Sequence, residues 1–221
     1  MVRYCPAPAW HASLVRTERG FDRIVNFSDA TVAIAMTLLV LPLVELGGDT
    51  EPGDSLWHLL SENSNAIFGF LLGFLVIWSM WVNHHRVMEY FADYDSTVLG
   101  LHLLWLLTMV TIPFTTQLIT NNDLYQHGAT ALYVAVLLVS SIALHLLGLR
   151  GRQHPELLHD RPEVKEWLAG PYRWTTVAVL ALILVIVLIS PSVGAWPMLL
   201  LLFVDGFVES RLDRRRVVAK R

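Results

Sequence analysis

Six stretches of this chain, at residues 24–46, 65–82, 98–119, 129–149, 174–190 and 193–208, are apolar almost throughout. A helix needs about 20 apolar residues to cross roughly 30 Å of hydrocarbon, where every backbone N–H and C=O must be bonded within the span. That requirement predicts an all-α integral membrane protein: one six-helix transmembrane unit over 1–221, with a tail at 1–20, a connection at 150–173 and a basic tail at 209–221 outside the bilayer. Pro42 lies near the far end of the first span and Pro113 interrupts the third, while Pro197 falls in the opening turns of the sixth, where a missing N–H costs little. The chain is 54% hydrophobic and 16% charged, against about 25% charged in an average soluble domain.

The basic residues set the orientation. Arg3, Arg16, Arg19 and Arg23 precede or open the first span, Arg86 lies in the second connection, and Arg150, Arg152, Arg161, Lys165 and Arg173 lie in the fourth. Arg211, Arg214, Arg215, Arg216, Lys220 and Arg221 complete the 16 Lys and Arg of the chain, leaving the first, third and fifth connections with none. Lys and Arg collect on the cytoplasmic side, so six spans place both termini in the cytoplasm of a multi-pass cell-membrane protein. The opposite connections carry Glu45, Asp49, Glu51, Asp54 and Asp123, and such an acidic face concentrates cations. Avoidance of Lys and Arg alone would also leave these loops without basic residues.

Several classes of function are excluded. A net charge of -3 and a pI near 6.3 do not suit a nucleic-acid binder. Cys5 is the only cysteine, so neither a disulfide nor a cysteine metal cluster is expected. The first twenty residues have no apolar run of signal-peptide kind. The chain has no HExxH, GxSxG or P-loop, and its nine histidines include one adjacent pair without spaced partners. Neither an enzyme nor a cofactor is expected.

An ionisable side chain inside a span costs at least a few kcal/mol and is a functional candidate by default. Asp29, preceded by Ser28, lies about two turns into the first span. Trp81-Val82-Asn83-His84-His85-Arg86 lies at matching depth at the end of the second. A hydrogen bond from Asp29 to His84 or Asn83 would satisfy the carboxylate. Such a contact is either a lock between helices or part of a proton or ion pathway, with His85, His102 and His145 as further relay candidates.

The run Arg23-Ile-Val-Asn-Phe27-Ser28-Asp29, followed by Ala33-Ile34-Ala35-Met36-Thr37-Leu38-Leu39-Val40-Leu41, resembles the RxxxFSD signature and first pore helix of the TMEM175 potassium channels. Trp81-x-x-His84-His85 and Ile112-Pro113-Phe114 are also similar to that family's pattern, and the likeness is greatest to its single-repeat prokaryotic members. The resemblance implies a homotetramer in which the first helix of each subunit lines a central pore for K⁺ and other monovalent cations. It places the constriction at Ile34, Leu38 and Leu41 and makes Thr37 the hydroxyl that bears on selectivity. Ala33 stands where the first repeat of the longer eukaryotic chains has Ser. A ring of aliphatic side chains passes an ion only after part of its hydration is shed. Na⁺ holds water more tightly than K⁺, so a modest K⁺ preference follows without the carbonyl-lined TVGYG loop of other potassium channels.

Helix geometry can be set beside that assignment. At about 100° per residue, Ile34, Leu38 and Leu41 fall within one ~60° stripe, Glu45 returns to it at the outer mouth, and Asp29 points ~140° away. Asp29 therefore cannot line a pore that Ile34 lines. Arg23 and Phe27 fall near the stripe at the cytoplasmic end. From the residues alone, a lipid-facing stripe would look the same. The alternative functions are a proton-conducting channel or an ion-coupled secondary transporter using Asp29 and His84. The 150–173 connection and the basic tail read as solvated segments touching lipid headgroups.

Overall fold

A computed structural model of the chain describes residues 18–46, 55–121, 126–172 and 174–190. The sixth expected span, the basic tail and the acidic residues Asp49, Glu51, Asp54 and Asp123 lie outside these residues. The described helices are α1 (Glu18–Leu38), α2 (Leu41–Leu46), α3 (Leu56–Glu62), α4 (Ser64–Met88), α5 (Ser96–Asn121), α6 (Gln126–Gln153), α7 (Pro162–Ala169) and α8 (Thr175–Ile189), with a 3₁₀ turn at Pro155–Leu157. Four of the segments, 20–45, 64–88, 96–120 and 128–153, are long and apolar enough to cross a membrane, and α8 is a shorter apolar helix.

Proline acts differently in the two spans that contain it. Pro42 has no N–H to give the carbonyl one turn back, and its ring crowds that turn. Accordingly α1 stops at Leu38, a turn follows at Leu39 and Val40, and α2 restarts at Leu41. Pro113 does not interrupt its helix: contrary to expectation, α5 runs through it to Asn121. Threonine hydroxyls beyond it, Thr115 and Thr116, donate to the Ile112 carbonyl at 3.0 and 2.8 Å. The carbonyl that Pro113 leaves without its helical donor is that of Met109, so these bonds do not replace the lost one; Met109 and Ile112, on the turn before the proline, are instead packed into the buried core. At the other boundary, α1 begins at Glu18, inside the segment expected to be tail.

The membrane core forms around α5, which packs against α1, α4 and α6, while α8 packs against α6. Trp105, Met109 and Ile112 of α5 meet Ile77 of α4, Tyr133, Val134 and Leu137 of α6, Val32, Ala35 and Leu39 of α1, and Leu180 of α8. Glycine allows the closest approaches. A Cβ on Gly73 would stand 2.7 Å from Leu39 Cδ2 and 3.2 Å from Thr116 Oγ1, and one on Gly69 would stand 2.4 Å from Thr120 Cγ2. Small residues at such crossings let membrane helices reach contact distance.

A second, separate core lies where α4 passes into α5 and α6 into α7. Phe21, Met88, Phe91, Val98, Leu147, Leu157, Leu158 and Val164 are buried together there. Phe91 and Leu158 form an antiparallel bridge, flanked by bonds from the Ala92 amide to the Leu157 carbonyl (2.8 Å) and from the His159 amide to the Tyr90 carbonyl (2.9 Å). The 150–173 connection is thus folded, which corrects the expectation of a solvated loop. Two of its arginines are held by the fold. Arg150 donates to Asp95 Oδ2 through Nε at 2.9 Å and Nη2 at 2.6 Å. Arg152 lies 4.8 Å from the ring centres of both Trp167 and Tyr172 and donates to the carbonyls of Trp167 and Gly170.

Asp95 has two roles, since its Oδ1 also accepts from the Val98 amide at 2.7 Å and so caps α5. Burial pushes its carboxyl up, but the Val98 amide, the Arg150 guanidinium and the Thr97 amide outweigh that and hold it below the ordinary carboxylate value. A lowered folded value means the stabilisation is complete above the unfolded pKa and is lost as pH falls through the folded one. Purified protein should lose thermal stability as pH drops below about 4, and Asp95→Asn should make that acid limb shallower while lowering Tm at neutral pH. The glycine contacts give a second expectation. Gly73→Val should destabilise by about 1–3 kcal/mol through overpacking. Gly100→Ala on α5, where an added Cβ meets nothing within 4 Å, should be neutral or stabilise by up to about 1 kcal/mol. Melting of both variants in detergent checks the pair.

Candidate functional site

The candidate site is α1, whose two faces differ in chemistry. One face is pinned. Phe21, Ser28, Val32, Ala35 and Leu39 are buried against α4, α5 and the second core. The other is bare: Phe27 is 64% exposed, Ile34 61%, Leu38 41% and Leu41 52% within the single chain. Arg23, Thr37 and Glu45 are exposed as well, in line with the same edge. Every large aliphatic residue expected at a constriction therefore lies on the uncovered side. Thr37 donates its proton to the Ile34 carbonyl at 2.7 Å, which leaves the oxygen's lone pairs outward as a polar point between Ile34 and Leu38.

The pinned face is held by polar groups inside the helix seam. Ser28 is fully buried and donates to the Ile24 carbonyl at 2.8 Å. Its oxygen is also in hydrogen-bond contact with His102 Nε2 of α5, and His102 Nδ1 lies 3.2 Å from His84 Nε2 of α4. Each neutral imidazole donates through one ring nitrogen and accepts through the other, so the two contacts join Ser28, His102 and His84 in one chain whose direction follows the tautomers. Beneath them His84 stacks on Trp105, ring centres 3.8 Å apart and 11° from parallel. Asp29 is bound separately, its Oδ1 accepting from Trp81 Nε1 of α4 at 2.8 Å. Trp81 is in turn stacked on His85 at 5.3 Å and lies against Trp78 at 5.2 Å.

The expected residues are thus brought to one level but paired differently. The indole of Trp81 is the donor to Asp29 in place of His84, which is directed to His102. Trp81 and His84 are three residues apart and share one side of α4, from which the long indole reaches the half-buried carboxylate on α1 while the imidazole meets His102 and Trp105 of α5. Asn83 is half-buried beside them. The histidine relay candidates separate as well. His102 is the hub of the seam, whereas His145 packs beside Tyr172 and Trp174, and its backbone carbonyl accepts from the Tyr172 hydroxyl. Trp105 and Phe21 were not foreseen as parts of the arrangement. Depth from the span ends was the available signal for His102, since Ser28, His84 and His102 all lie near the same end of their helices. Among the described residues no three His, Cys, Asp or Glu are grouped to hold a metal ion.

Fold and site define a helical multi-span membrane protein whose first helix is locked on one face by buried polar contacts and presents an aliphatic edge on the other. The sequence pattern of the endosomal/lysosomal potassium channel TMEM175 matches residues 23–113, which contain both faces and their partners. The chain belongs to the TMEM175 family of channels. A potassium channel of Streptomyces collinus is 35% identical over 128 residues, 57% of this chain and 61% of that one. A potassium channel of Chamaesiphon minutus is 32% identical over 165 residues, 67% of this chain and 78% of that one. The endosomal/lysosomal proton channel TMEM175 of Danio rerio is 28% identical over 149 residues, 65% of this chain and 27% of that one. This chain therefore spans under two thirds of the Streptomyces relative and about a quarter of the fish relative. The crystal structure of a lysosomal potassium-selective channel TMEM175 homolog from Chamaesiphon minutus superposes with a TM-score of 0.62 at 27% identity, covering 86% of this chain and 96% of that one. The relatives are channels and not enzymes.

A bond from Trp81 to Asp29 has a measurable consequence. Trp81→Phe should destabilise the detergent-purified protein by about 1.5–3 kcal/mol, the range for a hydrogen bond to a charged group. Combined with Asp29→Ala, the losses should fall short of additive because each removes the same bond. Thermal melting of both single variants and the double variant checks this.

Proposed function

We propose that the protein conducts K⁺ passively as a homotetramer in the cell membrane, both termini cytoplasmic, with the exposed edge of α1 lining a central pore. The observation that carries this reading is the uncovered stripe of Ile34, Leu38 and Leu41 opposite the buried Ser28, Val32, Ala35 and Leu39. A closed symmetric assembly is the usual way a chain covers such a face, and four copies of α1 around one axis would also enclose a path. The potassium channels of Streptomyces collinus and Chamaesiphon minutus, to which this chain is similar, support the choice of ion.

In this reading the aliphatic rings neither bind nor coordinate the ion. They narrow the path so that an ion must leave part of its water behind, and the greater cost for Na⁺ yields a modest K⁺ preference. Thr37 would offer hydroxyl oxygens within the narrow region, and Glu45 would draw cations to the outer mouth. Asp29, paired with Trp81 on the far side of α1, would hold the helix in rotation without touching the ion. Proton conduction is the second reading, supported by the name of the animal relative and by the buried Ser28–His102–His84 contacts.

Bi-ionic recording from reconstituted bilayers tests the assignment. Ile34→Asn or Leu38→Asn should shift the reversal potential toward Na⁺, because an amide ring replaces water that the aliphatic ring strips away. An unchanged reversal potential removes the constriction from these residues, and a reversal potential that follows the proton gradient selects the second reading.

A further inference from the structure

The polar seam does not exhaust what holds α1. Its foot, two turns below Ser28, carries Phe21, which is buried and stacked on Tyr94 with ring centres 6.3 Å apart. Phe21 belongs to the second core, not to the membrane core, and that core is closed by Leu157, Leu158 and Val164 from the 154–172 connection. A connection that only returned the chain between two spans would not need to share a buried core with the foot of a helix far away in sequence.

The connection is also braced for rigidity. The Phe91–Leu158 bridge ties it to the turn between α4 and α5. Tyr90 stacks on Trp167 of α7, ring centres 4.9 Å apart. Arg152, at the end of α6, lies against both Trp167 and Tyr172 and donates to the last carbonyls of α7, where a cation also opposes the helix dipole. The fit is tight: a Cβ on Gly151 would stand 2.9 Å from Phe91 Cζ and 3.1 Å from Leu158 Cδ2.

We infer that the 154–172 segment is a clamp on the foot of α1 that sets how far the conducting pathway opens. This rests on the reading of α1 as the pore helix. Phe21 lies about 20 Å along the axis from Ile34 at 1.5 Å per residue, and the seam at Ser28 lies between them. The foot and the constriction are thus opposite arms of one lever, so movement of Phe21 within its pocket is carried to the aliphatic edge. In that reading the aliphatic edge of α1 faces the central path, which leaves room for that movement.

Single-channel recording tests the clamp in both directions. In a Cys5→Ser background, Phe21→Cys and Tyr94→Cys are bridged with a short bifunctional thiol crosslinker, which holds the foot in place. In a second protein Val164→Ala loosens the pocket from the connection side. The two changes should move open probability in opposite directions, each severalfold, with the K⁺/Na⁺ reversal potential unchanged. Open probability within twofold of the parent in both, with the bridge verified by mass spectrometry, overturns the clamp. So does a shift in both variants in the same direction. Should Val164→Ala fail to fold, Leu158→Val serves as the loosening variant. An absence of K⁺ current in the parent protein would instead refute the function on which the clamp rests, so the two failures are separable.

Discussion

A polar group placed in hydrocarbon must find a partner, and in this protein that requirement fixes the rotation of one helix. Ser28 and Asp29 are adjacent, so they point in directions about 100° apart, one to His102 of α5 and the other to Trp81 of α4. Two partners on two different helices leave α1 a single azimuth. Turning it by one residue would break both contacts and bury a carboxylate without a donor, at a cost of several kcal/mol. The exposed edge of Ile34, Leu38 and Leu41 is therefore a consequence of what is satisfied behind it.

The rest of the fold supports that arrangement. Only because α5 lies between α1, α4 and α6 can its residues be seam and scaffold together: His102 meets Ser28 while Trp105, one turn on, supports His84 and fills the membrane core. Asp95 caps α5 and binds Arg150 of α6, so the depth of His102 is set by a charged contact at the bundle end. Gly69 brings α4 close to α5, and Gly73 brings it against both Leu39 at the end of α1 and Thr116 of α5. Helix placement, seam and bare edge are linked, and each depends on small residues or paired charges at particular positions.

Much of this was legible in the sequence because hydrocarbon imposes a strict rule on span length and on buried charge. The apolar runs marked the four membrane-length helices among the described residues, and Asp29 announced that it needed a donor at the depth of the Trp81–Arg86 cluster. Depth is readable from distance to a span end, but azimuth is not, so the sequence pointed to His84 or Asn83 as the donor, while the indole of Trp81, at the same depth, is the group found bonded to Asp29. The Pro113 interruption failed for a different reason, since local propensity said nothing of the helices packed around α5. The fold of the 150–173 connection was missed because Leu157, Leu158 and Val164 are isolated among charges and prolines. Their partners Phe21 and Phe91 lie far off in sequence, and no periodicity joins them. For the aliphatic edge, the residues alone could not distinguish lipid from water as its neighbour, and the RxxxFSD resemblance supplied the choice.

Which medium touches that edge is the central claim, and cysteine accessibility along α1 measures it. Single cysteines in the Cys5→Ser background at positions 34, 38 and 41, and at 32, 35 and 39, are exposed to a charged, membrane-impermeant thiol reagent during current recording. The account predicts block at 34, 38 and 41 and none at 32, 35 and 39. Protection of 34, 38 and 41, or block at 32, 35 and 39 in their place, would show that the bare edge faces acyl chains and that the path for ions runs elsewhere.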